Sequence, residues 1–139
     1  MTAPFRVTDI DHVVIRTGNS ARLEAFYTGV LGCPVVKRQE KIGLTQLRAG
    51  RALIDILAVK TDEAATAPKG SATGNMDHLC LRVEPFDPAA ISTHFKAHGI
   101  TVGEVLPRFG AEGSGPSMYL EDPEGNRIEL KGPPSEPAV

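Results

Sequence analysis

The chain is poor in the features that would announce most functions. Only two cysteines occur in 139 residues, Cys33 and Cys80. They stand far apart and form no C-x-x-C pair, which fits a reducing, cytoplasmic setting. No apolar run approaches the roughly 18–20 residues a spanning helix needs. The opening "MTAPFRVTDID" has no basic start followed by an apolar stretch, so no secretory signal is expected. A formal net charge of −2 leaves no electrostatic footprint for nucleic acid or an acidic membrane. The glycine-rich "RFGAEGSGPS" lacks phosphate-loop spacing and the Gly-Lys-Ser/Thr ending, so it reads as a loop between the last strands. What remains is an ordinary soluble composition, 41% hydrophobic and 23% charged, long enough for one domain over 1–139.

Against that plain background one pattern repeats. "DHVVIR" (Asp11 to Arg16) returns as "DHLCLR" (Asp77 to Arg82). After the first copy, Leu23, Phe26, Tyr27, Val30 and Leu31 share a helical face, with Asn19 or Ser20 to cap the start and Gly32 to end it. After the second, Asp87 is an N-cap with Pro88 at the first helical position, and Ile91, His94, Phe95 and His98 share a face before Gly99. Each half continues with a strand ("CPVVKRQ"; "ITVGEVL") and a hairpin. The first hairpin turns near Ala49-Gly50, the second at "DPEGN" (Asp122 to Asn126), strong turn chemistry. The order strand, helix, strand, strand, strand is written twice: module one over about 8–59, module two over about 76–131. The polar join 60–75 reads as a linker. The proline-rich tail 132–139 is expected to be mobile.

Strand alternation puts His12 on one face with Val14 and Arg16, and His78 with Cys80 and Arg82. In each half a second strand carries an acid among apolar neighbours, Asp55 in "LIDIL" and Glu129 in "RIELK". A buried acid there is costly without a partner. A single histidine on a strand usually has a packing role, but two histidines and two carboxylates at matching places converge if the modules fold about a pseudo-twofold axis. That donor set suits one divalent ion, Zn, Ni, Mn, Fe or Co. His94 and His98 lack the Glu of a helical H-E-x-x-H motif and read as rim residues. Cys80 reads as a small apolar filler.

The segments "IDHVVIRT", "LEAFYTGVLG", "MDHLCLRV" and "SMYLEDPEGNRIEL" resemble the vicinal oxygen chelate superfamily, the group of glyoxalase I, methylmalonyl-CoA epimerase, fosfomycin-resistance thiol transferases, bleomycin-resistance proteins and extradiol dioxygenases. The resemblance implies an α+β fold of two βαβββ modules curled into an open eight-stranded cup around one metal. It places the ligands at His12, Asp55, His78 and Glu129, with Asp55 one carbon shorter than the family's Glu. It implies a homodimer acting on a small-molecule substrate, with Glu129 moving a proton α to a carbonyl as a metal-dependent lyase, isomerase or epimerase. Arg16 matches an arginine that glyoxalase I places on the glutathione carboxylate. Val59 and Gly74 stand where other glutathione-contacting residues would be, so the glutathione adduct is one candidate among several. A fosfomycin-type thiol transferase, an extradiol-type dioxygenase and a metal-free drug-binding module are the alternatives.

Overall fold

The computed structural model describes residues 9–60 and 78–137. The chain divides into two compact units, residues 1–66 and 67–139. Each holds one strand–helix–strand–strand–strand module, as the repeat predicts. Module one runs β1 (His12–Thr17), α1 (Ser20–Ala25), β2 (Val35–Gln39), β3 (Leu44–Ala49) and β4 (Ala52–Ala58). Module two runs β5 (Leu79–Arg82), α2 (Pro88–Ala97), β6 (Leu106–Gly110), β7 (Gly113–Glu121) and β8 (Arg127–Lys131), with a short β9 (Glu136–Pro137) added.

In module one the sheet order is β1-β4-β3-β2, with β1 parallel to β4 and the other pairs antiparallel. The Asn19 side chain accepts a hydrogen bond from the Arg22 backbone N–H at 3.1 Å and so caps α1. The helix widens into a π turn over Phe26–Val30, and Gly32 follows at φ +75°. Leu23, Phe26 and Tyr27 are buried to 3% exposure or less. Across the sheet, Ile15, Leu47, Ile54 and Ile56 are buried on a single face, and α1 packs against β4. Truncating one such core leucine or isoleucine to alanine typically costs about 2–5 kcal/mol.

Module two repeats the arrangement in the order β5-β8-β7-β6, with β9 pairing β7. The Asp87 carboxylate accepts from the Ala90 N–H at 3.2 Å, and Pro88 opens α2. Phe95, Met118, Leu120, Ile128 and Leu130 form the buried core. The "DPEGN" turn is held by Asp122, itself 3% exposed. Its Oδ1 accepts from the N–H groups of Glu124 and Asn126 at 2.8 and 2.9 Å, and its Oδ2 from the Asn126 amide at 2.7 Å. This fixes the hairpin register and sets Tyr119 opposite Glu129.

Three expectations meet a different structure. The strand expected over 100–106 begins only at Leu106, and the stretch read as a glycine-rich loop is the β6–β7 hairpin. Its glycines serve close approach: a Cβ on Gly115 would lie 2.6 Å from the Pro133 carbonyl oxygen. The tail expected to be mobile is paired through residue 137. The Ser135 N–H donates to the Ser114 carbonyl at 2.8 Å, and Glu136 and Pro137 lie opposite Ser114 and Gly113. Pro133 and Pro134 sit in the irregular step before β9, where no ladder N–H is required of them. Past Lys60 the expected linker lies outside the described residues, as do Gly74, Asp77, and residues 138–139. Among the described residues no helix is long and apolar enough to cross a membrane.

Candidate functional site

In module one, β1 and β4 bring two of the expected residues onto one face. His12 pairs with Leu53 and Val14 with Asp55, so both His12 and Asp55 point away from the α1 side. Asp55 is 3% exposed. One of its oxygens, Oδ2, accepts from the Gln46 amide at 3.1 Å, and Gln46 in turn accepts from Gln39 at 3.1 Å. The other, Oδ1, is buried with no hydrogen-bond partner. An ionised carboxylate left in that condition costs several kcal/mol, by order of magnitude, relative to one fully paired.

His12 is half-exposed, and its Nδ1 lies 2.7 Å from Asp11 Oδ1. A carboxylate can only accept, so Nδ1 carries the proton and the Nε2 of the neutral ring keeps its lone pair. The Asp11 carboxylate thus orients the imidazole. The hydrogen bond to Asp11 raises the His12 pKa above 6.5, partly offset by desolvation, and the Asp55 charge adds to the rise. Arg16 is exposed on the same face, opposite Leu57.

In module two, Cys80 and Tyr119 flank Glu129 on neighbouring strands, and His78 stands at the head of β5. Glu129 is 5% exposed, and its Oε1 lies 3.3 Å from His78 Nε2. The Tyr119 ring meets the His78 ring edge-on at 5.4 Å. The guanidinium groups of Arg127 and Arg108 lie 3.8 and 4.5 Å from the Tyr119 centroid. Desolvation, then the charge of and hydrogen bond to Glu129, raise the Tyr119 hydroxyl. The same causes in the same order push the Cys80 thiol up to about 11. These causes favour the neutral thiol of Cys80. A cavity of about 500 Å³ opens beside Tyr119 and Arg127, closed on one side by Gly99, Ile100 and Thr101.

The structure thus joins His12 with Asp55 and His78 with Glu129. Among the described residues no group of three or more His, Cys, Asp or Glu side chains stands close enough together to hold a metal ion. The His94 and His98 rings meet edge-on at 5.0 Å, His94 on an exposed position of α2 and His98 at its exposed C-cap. Sequence reasoning missed Gln46, Tyr119, Arg108 and Arg127. Tyr119 could have been found: a hairpin centred on Glu124 must pair 119 with 129.

A module of this topology, repeated, with a histidine on each first strand and an acid on each last, defines a class of proteins. Residues 9–130 match the model of the Glyoxalase/Bleomycin resistance protein/Dioxygenase superfamily, and the chain belongs to it. Over 130 residues it is 25% identical to catechol-2,3-dioxygenase of Bacillus subtilis (strain 168), covering 94% of this chain and 43% of that protein. The chain therefore spans less than half the length of that curated relative. An integron cassette protein from V. cholerae has the same fold, with a TM-score of 0.72 at 24% identity, covering 92% of this chain and 97% of that one. Lactoylglutathione lyase from Agrobacterium tumefaciens follows at a TM-score of 0.66 and 20% identity, covering 91% and 95%. The fold is thus glyoxalase-like.

Proposed function

We propose that this chain is a metal-dependent enzyme of the glyoxalase type, moving a proton α to the carbonyl of a small substrate. The observation that carries the reading is Glu129, a 5%-exposed carboxylate set among His78, Cys80 and Tyr119. The partnerless Oδ1 of Asp55 speaks for the same function, because a buried anionic oxygen of that kind suits a cation. His12, Asp55, His78 and Glu129 would hold one divalent ion: Zn, Ni, Mn, Fe or Co. When bound, it would draw charge from two neighbouring substrate oxygens and make the adjacent C–H more acidic.

The work of this chain's residues is then proton transfer and orientation. A Glu129 oxygen takes the proton from the carbon, and the electron pair moves into the carbonyl. The same carboxylic acid returns the proton to the neighbouring carbon, so no oxidant is needed. The Tyr119 hydroxyl, hydrogen-bonded to Glu129, holds the carboxylate in place, and Arg16 binds a substrate carboxylate. The unit that does this is a homodimer.

A screen on 2-oxoaldehyde–thiol adducts tests the reading, followed by Glu129→Gln at matched metal occupancy. Glutamine keeps the shape and loses the base, so turnover should fall about 10²–10⁴-fold. Turnover within a few-fold of wild type would move the base elsewhere, with Asp55 next to be tested. The catechol-2,3-dioxygenase relative favours a second reading, ring cleavage of a catechol by oxygen. Oxygen consumption with catechol, and none of the isomerised adduct, would decide for it.

A further inference from the structure

Two residues beyond Glu129 on β8, and on the same face, stands Lys131. It is 6% exposed. Lysines are almost never buried unless paired, yet among the described residues no acid pairs with this one. The neighbouring cation across the β5–β8 ladder, Arg82, takes the nearby acids instead: Glu112 at 2.8 Å and Glu84 at 3.3 Å. Glu129 is turned to His78, Cys80 and Tyr119.

The space for Lys131 is cut by two glycines. Its side chain crosses β7 toward β6. A Cβ on Gly110 would lie 2.6 Å from Lys131 Cε, and one on Gly115 would lie 3.2 Å from Nζ. Gly115 is the ladder partner of Arg108, so the Arg108 side chain leaves the sheet on the face where the ammonium lies. Arg108 is held by neutral groups only, Ser117 Oγ at 2.7 Å and the Ser117 carbonyl at 3.0 Å, apart from the Tyr119 ring. Two cations share one side of the sheet, and among the described residues no acid neutralises either. An anion placed between them would complete the pairing that the chain leaves open.

We propose that Lys131, with Arg108, forms an oxyanion subsite on the Glu129 face of the module-two sheet that takes a carboxylate or phosphate group of a small molecule. The statement that this group belongs to the substrate rests on the proposed function. The anion site itself does not, and it is tested without metal.

The test is an NMR titration of the full chain, stripped with chelator, using inorganic phosphate in one arm and acetate in the other. Wild type should saturate with at least one anion, and the Gly110 and Gly115 amides should shift most. Phosphate alone, acetate alone or both assign the group the subsite accepts. Lys131→Met removes the charge but keeps the length of the stem, and should weaken the binding about tenfold or more. Gly110→Ala keeps the lysine but evicts its side chain, so it decides the matter if Lys131→Met fails to fold. It too should weaken binding. No saturable shift with either anion would overturn the subsite, as would shifts confined elsewhere in the chain. So would binding by either variant within about twofold of wild type, a difference too small for a lost charge-assisted contact.

Discussion

Asp55 is where a single residue says most about the site. A strand interior such as "LIDIL" has no structural need for a carboxylate, and the fold satisfies only half of it, through Gln46. Asp55→Asn should therefore leave the metal-free protein as stable or raise it by about 1 kcal/mol, since a neutral amide is less costly to bury than a charge. The same change should weaken metal binding. Urea unfolding with and without a divalent ion measures both effects. A clear loss of stability in the metal-free protein, with metal affinity unchanged, would make Asp55 a structural residue. His12 differs from it in kind: half-exposed and oriented by Asp11, it contributes little packing and is placed for its ring nitrogen.

Among the elements, α1 is tied to β2 by a two-pronged pair, with Arg38 donating to the Glu24 carboxylate at 2.9 and 2.5 Å. The Arg38 guanidinium holds the Glu24 carboxyl below its ordinary value of 4.5. The folded state thus favours ionised Glu24. The stabilisation is present above the unfolded value and is lost as pH falls through the lower, folded one. Arg38 is half-exposed, so solvent screening keeps the contribution small. Arg38→Ala should lower the urea midpoint modestly at neutral pH and progressively less as pH falls through and below the ordinary Glu value of 4.5, a difference that unfolding curves at neutral and acidic pH would detect. An equal loss at both would assign the effect to packing of the arginine stem. These elements were legible in the sequence where local signals were strong. Asn19 and Asp87 cap the helices, and the Asp122 turn sets its register, because each acts over three or four residues. The β6–β7 hairpin and β9 were not legible. Gly110 and Gly115 look like flexibility until Lys131 and Pro133, remote in sequence, are seen against them.

For the whole molecule, the duplication was plain from "DHVVIR" and "DHLCLR", and the fold follows it module by module. The site was legible as two pairs, because alternation and register lie within a module. Of the residues around Glu129, Tyr119 follows from the hairpin centre, whereas Cys80 depends on the β5–β8 pairing, which the hydrophobic pattern does not specify. The homodimer is open to light scattering at micromolar concentration, where a dimer mass is expected and a monomer mass alone would contradict it. The central claim is that the two pairs serve one ion. Elemental analysis after metal loading tests it most directly, comparing wild type with the His12→Ala, His78→Ala double variant. The expected result is about one divalent ion per set of His12, Asp55, His78 and Glu129 in wild type, and its loss in the double variant, since each removes a ligand from a four-ligand site. Equal metal content in the two proteins would contradict the account.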